Sequence, residues 1–153
     1  MKLRKSPRLA HFDYVGPFAY SLTLVARDRA RVFTEQDIVD ATLDCLARSC
    51  ARYGLSLETY CFMPDHLHLL VSNEGDSSLK DFVHHFKHLS GHRYKQEYSA
   101  PLWQISYYDH VLRKDDDLLA AARYIWDNPV RAGLVQDRSE YRFSGPASNM
   151  GQA

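Results

Sequence analysis

Two extended runs, Leu55 to Phe62 and His66 to Ser72, are separated only by Met63-Pro64-Asp65, and that spacing predicts an antiparallel hairpin. Proline sets the bend and supplies no ladder donor, which locates the turn. In the second run His66 and His68 flank a single leucine. Strand side chains alternate between faces, so both imidazoles project to one side, where they can hold a single metal ion. An ordinary buried strand would carry Val, Ile or Leu at those positions. Half-buried histidines without a metal also produce His-x-His, so a third ligand and a reactive partner must be sought elsewhere.

The remaining pattern sets the architecture. Phe18 to Ala26 reads as a first strand ending at Arg27-Asp28-Arg29. From Thr34 as N-cap, Ile38, Leu43, Leu46 and Ala47 recur at helical spacing until Gly54. Leu79, Phe82, Val83, Phe86, Leu89 and Ser90 trace one face of a second helix, with Lys80, Lys87, Arg93 and Lys95 largely off it. Leu102 to Leu112 reads as a fourth strand. Asp115-Asp116-Asp117 heads a last helix that packs through Leu118, Leu119, Ala122, Ile125 and Trp126 and ends at Asn128, before Pro129. The order β-α-β-β-α-β-α predicts an α+β fold, a ferredoxin-like or RRM-like sandwich with an antiparallel sheet plus a C-terminal helix.

The 153 residues, 45% of them hydrophobic, suit a single domain over residues 1–153, with a core over about 15–143 and loose ends, notably after Phe143. A formal net charge of zero excludes a wholly electrostatic DNA binder and leaves local basic patches, such as Lys2, Arg4, Lys5 and Arg8, or Arg27, Arg29 and Arg31. The three cysteines, Cys45, Cys50 and Cys61, form no Cys-x-x-Cys pair and predict a reducing, cytoplasmic setting. No apolar run has the length of a membrane span, and the basic start lacks the core of a secretion signal.

On the last helix Tyr124 and Asn128 are spaced i, i+4 and share a face. A phenol can attack a phosphodiester if a cation polarises the phosphate. His66, His68 and the Asn128 side-chain oxygen would make an incomplete ligand set suited to Mg²⁺ or Mn²⁺. Asn128 reads equally as a helix C-cap. By chemistry alone Tyr94, Tyr98, Tyr107 and Tyr108 are rival nucleophiles among the ten tyrosines. Asp65 fits a role orienting a histidine as well as it fits a Pro-Asp turn, and His110, beside Asp109, fits a surface position or an approach to the site. His84, His85, His88 and His92 are expected on different faces of the second helix. For DNA phosphates the candidate cations are Arg4, Lys5 and Arg8 in the tail with Lys87, Arg93 and Lys95 on the helix, Lys87 foremost.

His66-Leu67-His68 resembles the His-hydrophobic-His motif of the single-tyrosine HUH transposases, and Tyr124-Ile125-Trp126-Asp127-Asn128 resembles their helical tyrosine followed by a polar metal ligand. Met63 to His68, Leu102-Trp103-Gln104 and Tyr124 to Val135 are together similar to the REP-associated tyrosine transposase branch. The resemblance implies recognition of single-stranded DNA hairpins formed by palindromic repeats, with cutting and rejoining through a 5′-phosphotyrosine and a free 3′-hydroxyl. It implies Tyr124 as nucleophile, His66 and His68 as metal ligands and Asn128 as third ligand, where insertion-sequence relatives commonly carry the longer glutamine. It implies a monomer or a homodimer, dimeric relatives exchanging the tyrosine helix. The competing readings are an RRM-like binding module without catalysis, for which the exposed sheet aromatics are missing, and a metal nuclease that activates water with Tyr124 structural.

Overall fold

A computed structural model describes residues 18–73, 75–112 and 118–146. β1 (Phe18–Val25), β2 (Ser56–Met63), β3 (His66–Asn73), β4 (Tyr108–Leu112) and β5 (Ser144–Gly145) form one antiparallel sheet in the order β4-β1-β3-β2-β5. The first four strands reproduce the split β-α-β arrangement the sequence predicts. α1 (Gln36–Tyr53) and α2 (Leu79–Tyr98) cover one face. Their Leu46, Phe82 and Phe86 pack with Tyr20, Leu22 and Leu24 of β1 and Leu67, Leu69 and Val71 of β3. The other face carries α3 (Leu118–Trp126), where Ala122, Ile125 and Trp126 meet Ala19, Cys61, Met63, Leu70 and Leu112. Period-2 alternation thus divides each strand between two apolar layers.

Local chemistry explains the ends of the helices. Ser78 caps α2, its hydroxyl accepting from the Asp81 amide. α1 stops at Gly54, which adopts φ +65°, a conformation that glycine takes without strain. The N-cap of α1 is Glu35 rather than Thr34, because the Thr34 hydroxyl turns back to the Arg31 carbonyl.

Three further departures bear on the site. Only Tyr108–Leu112 of the expected fourth strand pairs with β1; Trp103 makes a lone bridge to Ala26. The segment before β4 is tied to α2, since the Trp103 indole donates to Ser90 and the Lys87 ammonium donates to the carbonyls of Gln104 and Ile105. The last helix ends at Trp126, and a short α4 (Asn128–Arg131) follows after Asp127, at φ −82° and ψ −3°. Pro129 has no N–H and its ring crowds the carbonyl four residues back, so the axis breaks there. Finally, Ser144–Gly145 is a strand rather than a loose end. It pairs with Tyr60 and Cys61, and the Tyr141 hydroxyl donates to the Phe62 carbonyl at 2.5 Å, so the tail closes the open edge of β2. Among the described residues no helix is long and apolar enough to cross a membrane.

Trp126 is 1% exposed and anchors α3, its indole donating to the Gly145 carbonyl at 3.4 Å. Trp126→Ala is expected to lower the unfolding free energy in urea by about 3–5 kcal/mol. An unchanged midpoint would mean that α3 docks without it.

Candidate metal and nucleophile site

The alternation of β3 that buries Leu67, Leu69 and Val71 beneath α1 and α2 sends His66 and His68 to the α3 face, beside Leu70. Both histidines are buried, their rings 4.7 Å apart between centroids and nearly perpendicular, with the two Nε2 atoms 3.0 Å apart. The other nitrogens are engaged. His66 Nδ1 donates to the Asp65 carboxylate at 2.6 Å, and His68 Nδ1 lies 3.0 Å from the hydroxyl of Thr23, its neighbour across β1.

These partners define the protonation. Asp65 accepts a hydrogen bond, so the neutral His66 carries its proton on Nδ1 and leaves Nε2 as a lone pair. Thr23 can donate or accept, so His68 can hold its proton on Nε2, bonding to His66, or on Nδ1, leaving both Nε2 lone pairs aimed at one point. Burial pushes His68 down to about 3, with the positive charge of His66 and Arg131 adding to it. Burial also lowers His66, against the opposing pull of Asp65. Burial alone would raise Asp65, but the hydrogen bond from His66 and the charge of Arg29 hold it below its ordinary value. The pair is therefore neutral and available to a cation near neutral pH.

Asn128 opens α4 rather than capping the previous helix, so the i, i+4 relation to Tyr124 is interrupted at Asp127. It is 4% exposed, and its Nδ2 has no hydrogen-bond partner. With His66, Asp65, Arg29 and Arg31 it lines a pocket of about 260 Å³. A half-turn of the amide presents oxygen in place of nitrogen, so two imidazole nitrogens and one amide oxygen would be on hand for a divalent cation with open positions. Among the described residues no three His, Cys, Asp or Glu side chains group around a metal position.

Tyr124 lies on the outer side of α3, 54% exposed. The guanidinium of Arg131 sits 3.8 Å from the centroid of its ring and donates to the Tyr124 carbonyl at 2.6 Å. The positive charge of Arg131 also works against protonation of His68, behind burial and the charge of His66. Sequence reasoning gave Arg131 no role, since regular helical spacing from Tyr124 does not survive the break at Asp127. It likewise missed the pocket-lining Arg29 and Arg31 as site residues; Arg29 bonds to Asp65 at 3.4 Å.

The other candidates spread out. His110 is exposed on β4, opposite Ser21 and on the same sheet face as His68. Lys87 and Lys95 border a groove along α2, Lys87 with its ammonium on the Gln104 and Ile105 carbonyls. Arg93 turns instead to Asp44 of α1, at 2.9 Å. Arg4, Lys5 and Arg8 lie outside the described residues. The α2 histidines do not occupy four different faces: His84, His88 and His92 form one line, and only His85 turns away, to Ser49 of α1.

Residues 15–128 match the family model described as transposase, IS200-like. The chain is 26% identical over 145 residues to a candidate REP-associated tyrosine transposase of Haemophilus influenzae, covering 86% of this chain and 81% of that one. It is 27% identical over 93 residues to a REP-associated tyrosine transposase of Escherichia coli, covering 58% of this chain and about half, 52%, of the relative. Its fold matches that of a REP-associated tyrosine transposase solved bound to a REP hairpin, with a TM-score of 0.79 and 20% identity, over 98% of this chain and 87% of the other.

With both imidazoles held below their ordinary value, an unfolded chain takes up protons that the folded chain refuses once the pH falls below about 6.5. Stability present above that pH is lost as it falls towards the folded-state value of His68, about 3, by at most about 1.4 kcal/mol per pH unit for each histidine. The unfolding free energy of chelator-treated protein should show this decline, and His68→Asn should flatten it. A variant curve as steep as the parent's would sink the assignment.

Proposed function

This chain belongs to the IS200-like transposase family, enzymes that cut DNA, and from that premise we propose that it breaks and rejoins single-stranded DNA beside hairpins of palindromic repeats through a 5′-phosphotyrosine. The observation that carries the reading is the pair of converging Nε2 atoms 3.0 Å apart, neutral and buried, on the sheet face that α3 covers. His66, His68 and Asn128 would hold Mg²⁺ or Mn²⁺, which when bound polarises a phosphate oxygen and offsets charge in the transition state. Asp65 and Thr23 orient the two imidazoles.

The Tyr124 oxygen attacks phosphorus and loses its proton, while the 3′-oxygen of the broken phosphodiester departs and gains one. Attack by a 3′-hydroxyl on the phosphotyrosine reverses the exchange. One phosphate ester replaces another, so no external energy source is needed. Arg131, stacked on the phenol, supplies a fixed cation for the phosphate. Arg29 and Arg31 suit the adjoining phosphates from the pocket rim. Arg4, Lys5, Arg8 and Lys95 are assigned to the flanking backbone, with smaller shares for Lys87 and Arg93, whose charges already serve carbonyls and Asp44. His110 is placed to border the same sheet face. The enzyme would work in the cytoplasm, at the nucleoid when bound.

Incubation with single-stranded hairpin DNA and Mn²⁺ should yield a denaturation-resistant protein–DNA adduct. Tyr124→Phe should abolish it, and Arg131→Ala should slow its formation by about 10-fold or more. A robust adduct from the Phe variant would reject Tyr124 as nucleophile; undiminished cutting without an adduct would point to activated water.

We propose that the tyrosine acts in cis, in a monomer or in a homodimer whose protomers keep their own sites. Mixing Tyr124→Phe with His68→Ala protein should therefore restore no adduct. Recovery on mixing would assign the tyrosine to a partner subunit.

A further inference from the structure

The line of exposed imidazoles on α2 has no part in the site just described. His84, His88 and His92 are spaced i, i+4, i+8, and their rings lie nearly parallel, 13° apart in plane for each neighbouring pair. The centroids are 6.4 Å apart between His84 and His88 and 6.3 Å apart between His88 and His92. The helical rise over four residues, about 6 Å, sets this repeat. It is close to twice the stacking distance of about 3.4 Å between neighbouring bases, so the ring repeat matches the centroid spacing of a ladder with one planar base between neighbours.

The surroundings fit a nucleic-acid strand. The three histidines border a groove of about 640 Å³ whose rim also carries Lys80, Lys87 and Lys95. The opposite wall is the segment that Lys87 ties to α2, and it presents Ile105, 90% exposed, beside Trp103. Cations along a groove track a phosphate backbone, and flat or apolar groups take the bases. α2 packs on the sheet face opposite to His66 and His68, so a stretch of strand lying here is remote from the imidazole pair.

We propose that the His84–His88–His92 ladder is a second site for single-stranded DNA, in which two bases insert between the three imidazoles while the lysines of the rim hold the backbone. The choice of DNA as the polymer rests on the proposed transposase activity; the ladder geometry does not. His88 borders both slots, whereas His84 and His92 each border one. Loss of His88 therefore costs two stacked bases and loss of either neighbour costs one.

The test is binding of a short oligothymidylate carrying 2-aminopurine, read by anisotropy and by quenching, on full-length protein with Tyr124→Phe so that no cutting intervenes. His88→Ala should weaken binding by about 10-fold or more and relieve the quenching, and His84→Ala and His92→Ala should each have a smaller effect. His88→Trp should retain binding and His88→Lys should not. The proposal is overturned if His88→Ala binds within about twofold of its parent, or if lysine rescues where tryptophan fails, the mark of a purely ionic surface. The side chains are exposed, so the variants keep the fold, checked by circular dichroism. Normal ladder binding, alongside a protein with Tyr124 intact that forms no adduct, would count against the transposase reading alone.

Discussion

The candidate site depends on how the tip of the β2–β3 hairpin is pinned. The Pro64 carbonyl accepts from the Phe33 amide at 3.0 Å, and the Asp65 carbonyl accepts from the Ala26 amide at 2.9 Å. These two bonds join the turn to the chain leaving β1, so the Asp65 carboxylate is held where His66 Nδ1 meets it. Phe33 is itself fully buried, its ring against Phe62 and Trp103. Packing on the α1/α2 side thereby supplies rigidity that is used on the other side of the sheet.

Burial does two jobs for the imidazole pair. It keeps both rings neutral, so their lone pairs stay available at a pH where exposed histidines are partly protonated. It also restricts each ring to one orientation, because Asp65 and Thr23 are the bonded partners of the outer nitrogens. The unpartnered amide nitrogen of buried Asn128 is the counterpart of this arrangement. A buried polar group left without a bond costs about 1–3 kcal/mol, and a fold that tolerates the cost on the wall of a pocket keeps a donor ready there.

Much of this was legible in the sequence because it follows from short-range periodicity. Alternation placed His66 and His68 on one face, the Pro64-Asp65 turn located the hairpin, and the helical repeats located α1 and α2. What escaped depends on contacts between distant residues. The segment 102–107 is rich in strand formers, yet Lys87 and Ser90 hold it against α2. Asn128 looked like a cap because proline follows it, whereas tertiary packing starts a new turn there. The partnership of Arg131 with Tyr124 needed the kink at Asp127 to bring α4 back over the ring. The histidines of α2 were misjudged for a simpler reason: residues 84, 88 and 92 are a strict i+4 series, which the helical repeat alone sets in a line.

The two faces of β3 show why such a site can be built into so small a domain. Leu67, Leu69 and Val71 belong to the core beneath α1 and α2, while His66 and His68, interleaved with them, belong to the α3 side. A strand makes the two sets geometrically inseparable and chemically independent: moving one histidine would mean shifting the register and turning every leucine out of the core. The apolar residues thus fix the distance between the imidazoles more firmly than any contact the imidazoles make, and a 3.0 Å approach of two neutral nitrogens is held by hydrophobic packing on the far side of the sheet.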